Sequence, residues 1–443
     1  MLPVGFHPRS LRLGLASIVI GPNVRIVCVG AGPAGLYFAI LAKLRNPRSD
    51  ITVYERERQG AGRGWGVTFD PGLLRKLYRN DTESARSIDQ ATFRWRDQFV
   101  DIHDERVVYD GGVDIYNLNR PRLVSVLAAR ARQLGVHVKY DEDISSLSQL
   151  SDADLIVGAD GVNSRVRDAV GGFGTETRIS QDKFIWLGTD KPFRAFAYHF
   201  VKTECGWIWA ASYGIQSELS TFVVHCSAQT WAGLAFDAMS AAESLGVLQE
   251  MYSEQLSGHR LMGQIGDPLN ARWQSFRTVT NKRWHQGNVV LLGDSAHTTH
   301  FSTGEGTTLA IEDAIALAEN LDRYRDLETG LTAYERQRRP KVSRSQGSAR
   351  LSAKFFADIP HYARLEPREF AVLMHARRSP LVPLIPARLY YQVHQASREA
   401  PVLRQARPLG RALKHRLQEA DRIPQQRDSA SCASQQPDTN PGI

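Results

Sequence analysis

The stretch VCVGAGPAGLYFAI, Val27 to Ile40, decides how this 443-residue chain folds. It opens in a short apolar run with a β-branched bias, Val24 to Gly30, which reads as a buried strand. It closes in a second apolar run, Gly35 to Leu44, which reads as a helix. Between them Gly30, Gly32 and Gly35 stand at G-x-G-x-x-G spacing around Pro33 and Ala34. Gly30 permits a tight turn, Gly32 lets backbone approach a pyrophosphate, and Gly35 lets the helix pack on the strand. The helix N-terminus turns unpaired N–H groups and the positive end of its dipole toward the phosphates. DITVYERE, Asp50 to Glu57, reads as a second strand ending in acid, which completes a βαβ unit. Glu55 follows Gly30 by 25 residues, where a carboxylate accepts both ribose hydroxyls. Its neighbour Arg56 is a further candidate contact. An acid at that place favours an unphosphorylated ribose, hence FAD or NAD rather than NADP. A glycine-rich turn with no ligand is the plainer alternative.

Composition bounds the rest. The chain is 42% hydrophobic and 23% charged, enough apolar material for a large core and for two or three domains. Four cysteines, Cys28, Cys205, Cys226 and Cys432, lie far apart with no CxxC pair. That speaks against a disulfide framework or a metal site and for a reducing, cytoplasmic setting. No apolar run reaches the roughly 18 residues that a membrane helix needs, so no membrane partner is expected. The opening MLPVGFHPRSLRLGLASIVIGPN has arginines before an apolar stretch but no A-x-A-like site before the first core strand. Residues 1–23 therefore read as a loose extension rather than a signal peptide. Net charge is +8, unevenly spread: from Leu331 onward Lys and Arg outnumber Asp and Glu by 20 to 9, and before it the balance is −3. With no nucleic-acid motif present, the basic region reads as a solvated helical surface. Phosphates of a ligand are its other conceivable partner.

Along the chain, Leu123, Val124, Leu127 and Ala128 recur at helical spacing, HVKYDEDI reads as a strand, and ADLIVGADGVNSRVR as strand, turn and helix start. From about Lys183 the pattern changes. KFIWLGTD, AFAYHFVKT, GWIWAASYG and LSTFVVHCSA are rich in aromatic and β-branched residues and read as an antiparallel sheet. GDSAHTTHFSTGEGTTLA, Gly293 to Ala310, then returns to strand, loop and helix. Residues from 331 to about 423 look mostly helical, broken by SPLVPLIPARL, and the polar end reads as disordered.

Three further segments carry a family resemblance. GADGVNSRVR (Gly158 to Arg167), GNVVLLGDSAH (Gly287 to His297) and NRPRLVSVL (Asn119 to Leu127) resemble the DG, GD and R-x-x-L motifs of single-component FAD-dependent aromatic hydroxylases, the group A flavoprotein monooxygenases. With the N-terminal fingerprint the resemblance runs from Val24 to about Arg350, in the family's order. It implies an α/β protein: a Rossmann-like FAD-binding domain in two parts, 24–180 and 281–345, around an antiparallel β-sheet substrate region at 181–280. A helical C-terminal region at 346–423 and a tail at 424–443 complete the expectation. In this family Asp294 would bind a ribityl hydroxyl of FAD, and the loop of Gly304, Gly306 and Thr307 would turn N–H groups to the flavin pyrimidine edge. Arg120 would reach the ribityl or phosphate region, and Asp160 is tied to both FAD and the nicotinamide cofactor. The bland readings are a helix N-cap for Asp294 and a turn-former for Asp160.

The resemblance narrows further. GWGVTF, KFIWLGT, STFVVHC and HTTHFSTGEGTTLAIEDAIALAENL look like a subgroup that hydroxylates aryl-CoA thioesters, such as salicylyl-CoA and 2-aminobenzoyl-CoA, or an indole intermediate of violacein synthesis. The wider family has proline at Phe301 and asparagine at Thr308; the subgroup shares both departures. Glu305 departs from both. The implied reaction uses NADH or NADPH and O2 and passes through a flavin C4a-hydroperoxide, from which one oxygen reaches an electron-rich aromatic carbon. A small aromatic substrate, CoA-linked or else tryptophan-derived or carrier-tethered, is the expected partner of a monomer or homodimer. His300 and Phe301 would face flavin and substrate, His300 binding a phenol or amine or assisting its deprotonation. His297 reads as structural. Trp186, Trp207 and Trp209 are candidate pocket walls, core packing being the other fate of strand tryptophans. GWIWAA lacks the Ile-Pro of halogenases, which leaves a halogenase, a reductase and a non-catalytic flavoprotein as rivals.

Overall fold

Residues 21–61, 64–264 and 270–399 are described, in a computed structural model of the chain. The expected extension up to residue 20, the helical stretch beyond 400, the tail at 424–443 and Cys432 lie outside them.

The strand expected at Val24–Gly30 is Arg25–Val29, and it sits inside a six-stranded sheet. The order is His285–Gln286, Val289–Leu291, Leu155–Gly158, Arg25–Val29, Asp50–Tyr54, His137–Lys139. All pairs are parallel except the edge hairpin of the first two. Register sets the strand ends level: Val29 lies opposite Tyr54 and Gly158, and Gly158 opposite Leu291. Gly30, Glu55, Asp160 and Asp294 therefore all leave from the carboxyl edge of one sheet, where open α/β sheets bind their ligands. The helix Pro33–Arg45 is buried at every position from Pro33 to Ala42, as expected of a helix that is apolar all round. It packs against the helix Gly306–Arg323.

The second sheet has nine strands. Its path runs Leu261–Met262, Glu176–Thr189, Leu219–Cys226, Gly206–Gln216, Phe196–Thr203, Phe93–Ile102, Glu105–Asn119, Gly66–Phe69, with Gln274–Thr280 also on Glu176–Thr189. Only the pair of Phe93–Ile102 with Phe196–Thr203 is parallel. The antiparallel sheet expected at 181–280 is present, but it also takes the strands at 66–69, 93–102 and 105–119 from the stretch assigned to the first FAD-binding segment. The two sheets are interleaved in sequence, so a boundary at 181 does not follow them. Nor does one at 346, which falls inside the single helix Leu327–Ala357, with Pro340 in its interior.

Described residues up to Pro380 form one compact unit. Those from Leu381 belong to a second, in which Ala387–Glu399 is helical. No described helix is long and apolar enough to cross a membrane.

Candidate active site

The three glycines of the first loop differ in what surrounds them. Gly30 has φ +105°, and a Cβ there would lie 2.4 Å from the Ala159 carbonyl oxygen. A Cβ on Gly35 would lie 2.2 Å from the Gly30 carbonyl oxygen. Gly32 has nothing within 4 Å of such an atom: its open side faces space, not protein. Gly32 caps the helix Pro33–Arg45 with no side-chain hydrogen bond, so the first N–H groups of that helix stay available. Pro33, lacking an N–H, occupies the first turn without loss. These contrasts separate two kinds of variant. Gly30→Ala combines a strained φ with a backbone clash and is expected to destabilise by roughly 2–4 kcal/mol in urea unfolding. Gly32→Ala should leave the unfolding midpoint of the apoprotein unchanged while weakening flavin binding.

Glu55 closes the loop. One carboxylate oxygen accepts the Ala31 N–H at 2.8 Å and the other the Glu57 N–H at 3.1 Å. Arg56 is exposed and lies 3.7 Å from Glu57. Asn119 caps the helix Arg120–Gln133 by accepting the Arg122 N–H at 3.1 Å, and the Arg120 N–H donates to Trp65 at 2.8 Å. That fixes the half-buried Arg120 side chain in the field of both Asp294 and Glu55; burial lowers its pKa and the two acids act against that shift. Gly30, Gly32, Glu55, Arg56, Arg120 and Asp160 line one groove of about 420 Å³.

The GD loop meets the first loop directly. Gly293 has φ +64°, and a Cβ on it would lie 3.2 Å from the side chains of both Ala34 and Ala310. Segments some 260 residues apart thus bring two helix N-termini together around one glycine. Asp294 is open to water yet walled in by protein, and this desolvation raises its pKa, with His297 and Arg120 opposing. Among the described residues nothing donates a hydrogen bond to its carboxylate. Asp160 accepts the Arg165 and Val166 N–H groups on one oxygen, at 2.7 and 3.1 Å, while the other oxygen is buried without a partner. It holds the start of the helix Arg165–Val170, with acceptor capacity to spare. Gly304 has φ +66° and packs on Thr68. Glu305 precedes the helix Gly306–Arg323 without capping it, and the first helical bond comes from the Leu309 N–H, so the N–H groups of Gly306 and Thr307 have no helical acceptor.

A buried ionic network stands behind this loop. His297 Nε2 lies 2.7 Å from Asp313, which also takes Arg338 Nε at 2.7 Å and the Gly293 N–H at 3.1 Å. Arg338 further donates to Glu312 at 2.9 Å, and Glu312 pairs with Lys76. His297, under Trp284, is structural, as the sequence suggested. Asp313 and Arg338 were not anticipated; the one available signal was an acid at apolar spacing within the helix Gly306–Arg323. Arg378 pairs with Glu305 at 2.8 Å, which accounts for the acid there. Arg338 and Arg377 are buried, so the basic region is not wholly the solvated surface expected of it.

His300 and Phe301 come to the larger sheet. Cross-strand register places Phe184, His225, Trp209 and Phe200 in one row on one face. Phe301 sits over that row, with ring centroids 4.8 Å from Phe184, 5.7 Å from His225 and 6.5 Å from Trp209. His300 packs on Phe276 at 4.8 Å. Trp186 and Trp207 join this face in the rows on either side, Trp207 packing edge-on against His103 at 5.6 Å. Trp186 Nε1, Trp209 Nε1 and His225 Nδ1 are buried with no hydrogen bond among the described residues. Burial pushes His225 down to about 3 and His300 to about 4, so both are neutral at pH 7. The unfolded chain takes up these protons near pH 6.5, well before the folded one does. Stability is therefore fully present above pH 6.5 and falls as pH drops toward 4, by up to about 1.4 kcal/mol per unit per histidine. Urea midpoints between pH 7 and 5 should show the slope, and His225→Gln should flatten it.

The donor and acceptor set fits FAD. An open glycine faces a helix N-terminus, an acid stands at ribose distance in sequence, and a water-exposed carboxylate without a donor among the described residues lies on the loop that leads to a second open helix N-terminus. Such a set suits a flavin-dependent oxidoreductase. The chain belongs to the FAD binding domain family, whose pattern matches residues 23–346, and is an FAD-dependent aromatic monooxygenase. It is 36% identical over 369 residues to salicyloyl-CoA 5-hydroxylase of a Streptomyces species, covering 81% of this chain and 70% of that protein. It is 32% identical to 3-hydroxy-4-methyl-anthranilyl-[aryl-carrier protein] 5-monooxygenase of Streptosporangium sibiricum, covering 76% of this chain and 90% of that one. It is 29% identical to protodeoxyviolaceinate monooxygenase of Chromobacterium violaceum, over 82% and 96% of the two chains. Among solved structures, 2-methyl-3-hydroxypyridine-5-carboxylic acid oxygenase superposes with TM-score 0.65 at 22% identity, over 80% of this chain and 96% of that one, and so shares the fold.

Proposed function

We propose that this chain hydroxylates the ring of an aryl-CoA thioester of the salicylyl-CoA kind, with NADH or NADPH as electron donor and O2 as co-substrate. The 36% identity to a salicyloyl-CoA 5-hydroxylase carries this reading. The aromatic row beneath Phe301, with its unpaired indole and imidazole nitrogens, supports it as a seat for a flat ring bearing heteroatoms. Bound FAD supplies the redox chemistry. Gly30, Gly32, Pro33, Ala34 and Gly35 hold its pyrophosphate, and Glu55, with Arg56 beside it, the adenosine ribose. Arg120 and Asp294 hold the ribityl chain. Asp160 supports the pyrophosphate side and the nicotinamide donor. The N–H groups after Gly304, at Gly306 and Thr307, meet the pyrimidine edge. His300 and Phe301 orient the substrate ring, and the aromatic wall excludes water from it.

The purified yellow protein, offered salicylyl-CoA, anthraniloyl-CoA and tryptophan in turn, tests this. Substrate-stimulated, oxygen-dependent oxidation of NADH or NADPH with a product heavier by one oxygen supports it. Failure with both thioesters removes the CoA assignment. A carrier-tethered aromatic is the second reading, favoured by the 32% relative, of which the chain covers 90%. An aryl group loaded on a carrier protein separates the two.

A further inference from the structure

His300 stands at one end of a chain of hydrogen bonds. Its Nδ1 accepts the backbone N–H of Ser302 at 3.3 Å and lies 2.9 Å from Ser302 Oγ. Ser302 Oγ lies 2.8 Å from Ser352 Oγ, on the helix Leu327–Ala357. Ser352 Oγ accepts Arg377 Nε–H at 3.0 Å. Arg377 is 9% exposed and donates besides to Tyr198 Oη at 2.9 Å, to the Ser302 carbonyl at 3.0 Å and to the Met374 carbonyl at 2.8 Å. Tyr198 and Phe356 lie against its guanidinium face.

Both ends of this chain are obligate donors, and that fixes every proton between them. A backbone N–H can only donate, so Nδ1 of His300 carries no hydrogen. Ser302 Oγ then donates to the same Nδ1 lone pair, in a three-centre bond shared with the backbone N–H, which uses its one hydrogen. Ser352 must therefore donate to Ser302. Ser352 is left to accept, and its partner is a guanidinium, which has no acceptor to offer. Only one arrangement satisfies all four groups. In a neutral imidazole the remaining hydrogen lies on Nε2, which has no hydrogen bond among the described residues.

We propose that Ser302, Ser352 and Arg377 are positioning residues that hold His300 as the Nε2–H tautomer, so that it offers the site a hydrogen-bond donor and not a base. The inference rests on the reading of His300 as a substrate-facing residue and sharpens it. The group His300 recognises is an acceptor oxygen, such as a phenol oxygen or a thioester carbonyl, and deprotonation of the substrate by Nε2 is excluded. The buried cation at the far end keeps the direction of the relay from reversing.

The test uses the FAD-loaded full chain with 15N-labelled histidine. Long-range 1H–15N spectra at pH 7 are compared between the wild type and His300→Gln. The signals lost in the variant should belong to a ring protonated at Nε2 and bare at Nδ1; a ring protonated at Nδ1, or a charged one, overturns the proposal. If His300→Gln does not fold, Ser302→Ala identifies the same ring by shifting its signals. Ser352→Ala frees the Ser302 hydroxyl from its relay partner, so it should shift the His300 Nδ1 signal with Nε2 still protonated and lower kcat about tenfold at unchanged FAD content. Ser352→Thr, which keeps the hydroxyl, should restore both. Unchanged His300 signals in Ser352→Ala defeat the relay. The tautomer is read without turnover, so its failure is distinct from failure to hydroxylate any thioester.

Discussion

Asp294→Ala is expected to give a folded protein that purifies without colour. The carboxylate is open to water, protein crowding around it raises its pKa, and no described residue donates to it. Such a group is hydrated in the empty protein and gains a protein-held partner only when a ligand hydroxyl arrives. A hydrogen bond to a charged acceptor contributes roughly 1.5–3 kcal/mol, so flavin affinity should fall about 10- to 150-fold. The same substitution removes a water-exposed acid with no protein donor, so the apoprotein should melt at about the wild-type temperature. Titration of apoprotein with FAD, followed by flavin fluorescence, reads the first effect and a thermal melt the second. Wild-type affinity in this variant would show that the ribityl contact is not at Asp294.

Arg338→Met should produce the largest loss of stability of any single substitution considered. Arg338 is 3% exposed and is held by Asp313 and Glu312, with Asp313 fully buried. Burial acts to raise both acids, but their partners together outweigh it and hold them below their ordinary values: His297 and Arg338 at Asp313, Arg338 and Lys76 at Glu312. Removing one partner of a buried pair leaves the other charge stranded, at a loss of about 3–5 kcal/mol. Urea unfolding of the apoprotein measures it. The double variant with Asp313→Asn should recover part of the loss, since the stranded charge is then gone; an equal or greater loss would place the role of Arg338 in packing alone. Flavin affinity should fall too, because Asp313 also holds the Gly293 N–H.

How much of this was legible depends on how local the signal is. The glycine loop, Glu55 and the GD loop were readable because each sits within a few residues of a strand end, where turn and helix start are written in sequence. The meeting of Gly293 with Ala34 needed the resemblance, since spacing says nothing about which remote loops touch. The strands at 66–69, 93–102 and 105–119 were missed because their sheet is defined by pairing, and Phe93–Ile102 finds its parallel partner about 100 residues later. Arg338, Arg377 and Arg378 looked like surface charge because burial of an arginine depends on partners elsewhere. For Arg338 those partners are Asp313 and Glu312, and for Arg377 they are Ser352 and Tyr198. Glu305 was conspicuous but unexplained until its partner Arg378, more than 70 residues downstream, was in view.

The interleaved strands bear on how the chain reaches its native state during synthesis. Arg25–Val29 is the middle of the parallel sheet, yet its layer is not complete until Val289–Leu291 emerges, 264 residues later. At ribosomal rates of 5–20 residues per second that interval is roughly 13–50 s. Through it the strand Leu155–Gly158 lacks its outer neighbour, and the helix Pro33–Arg45, buried from Pro33 to Ala42, waits for the helix Gly306–Arg323 on which it packs. The nascent chain should accordingly depend on chaperone capture, and its yield in a host should rise with chaperone supply more than with lowered inducer.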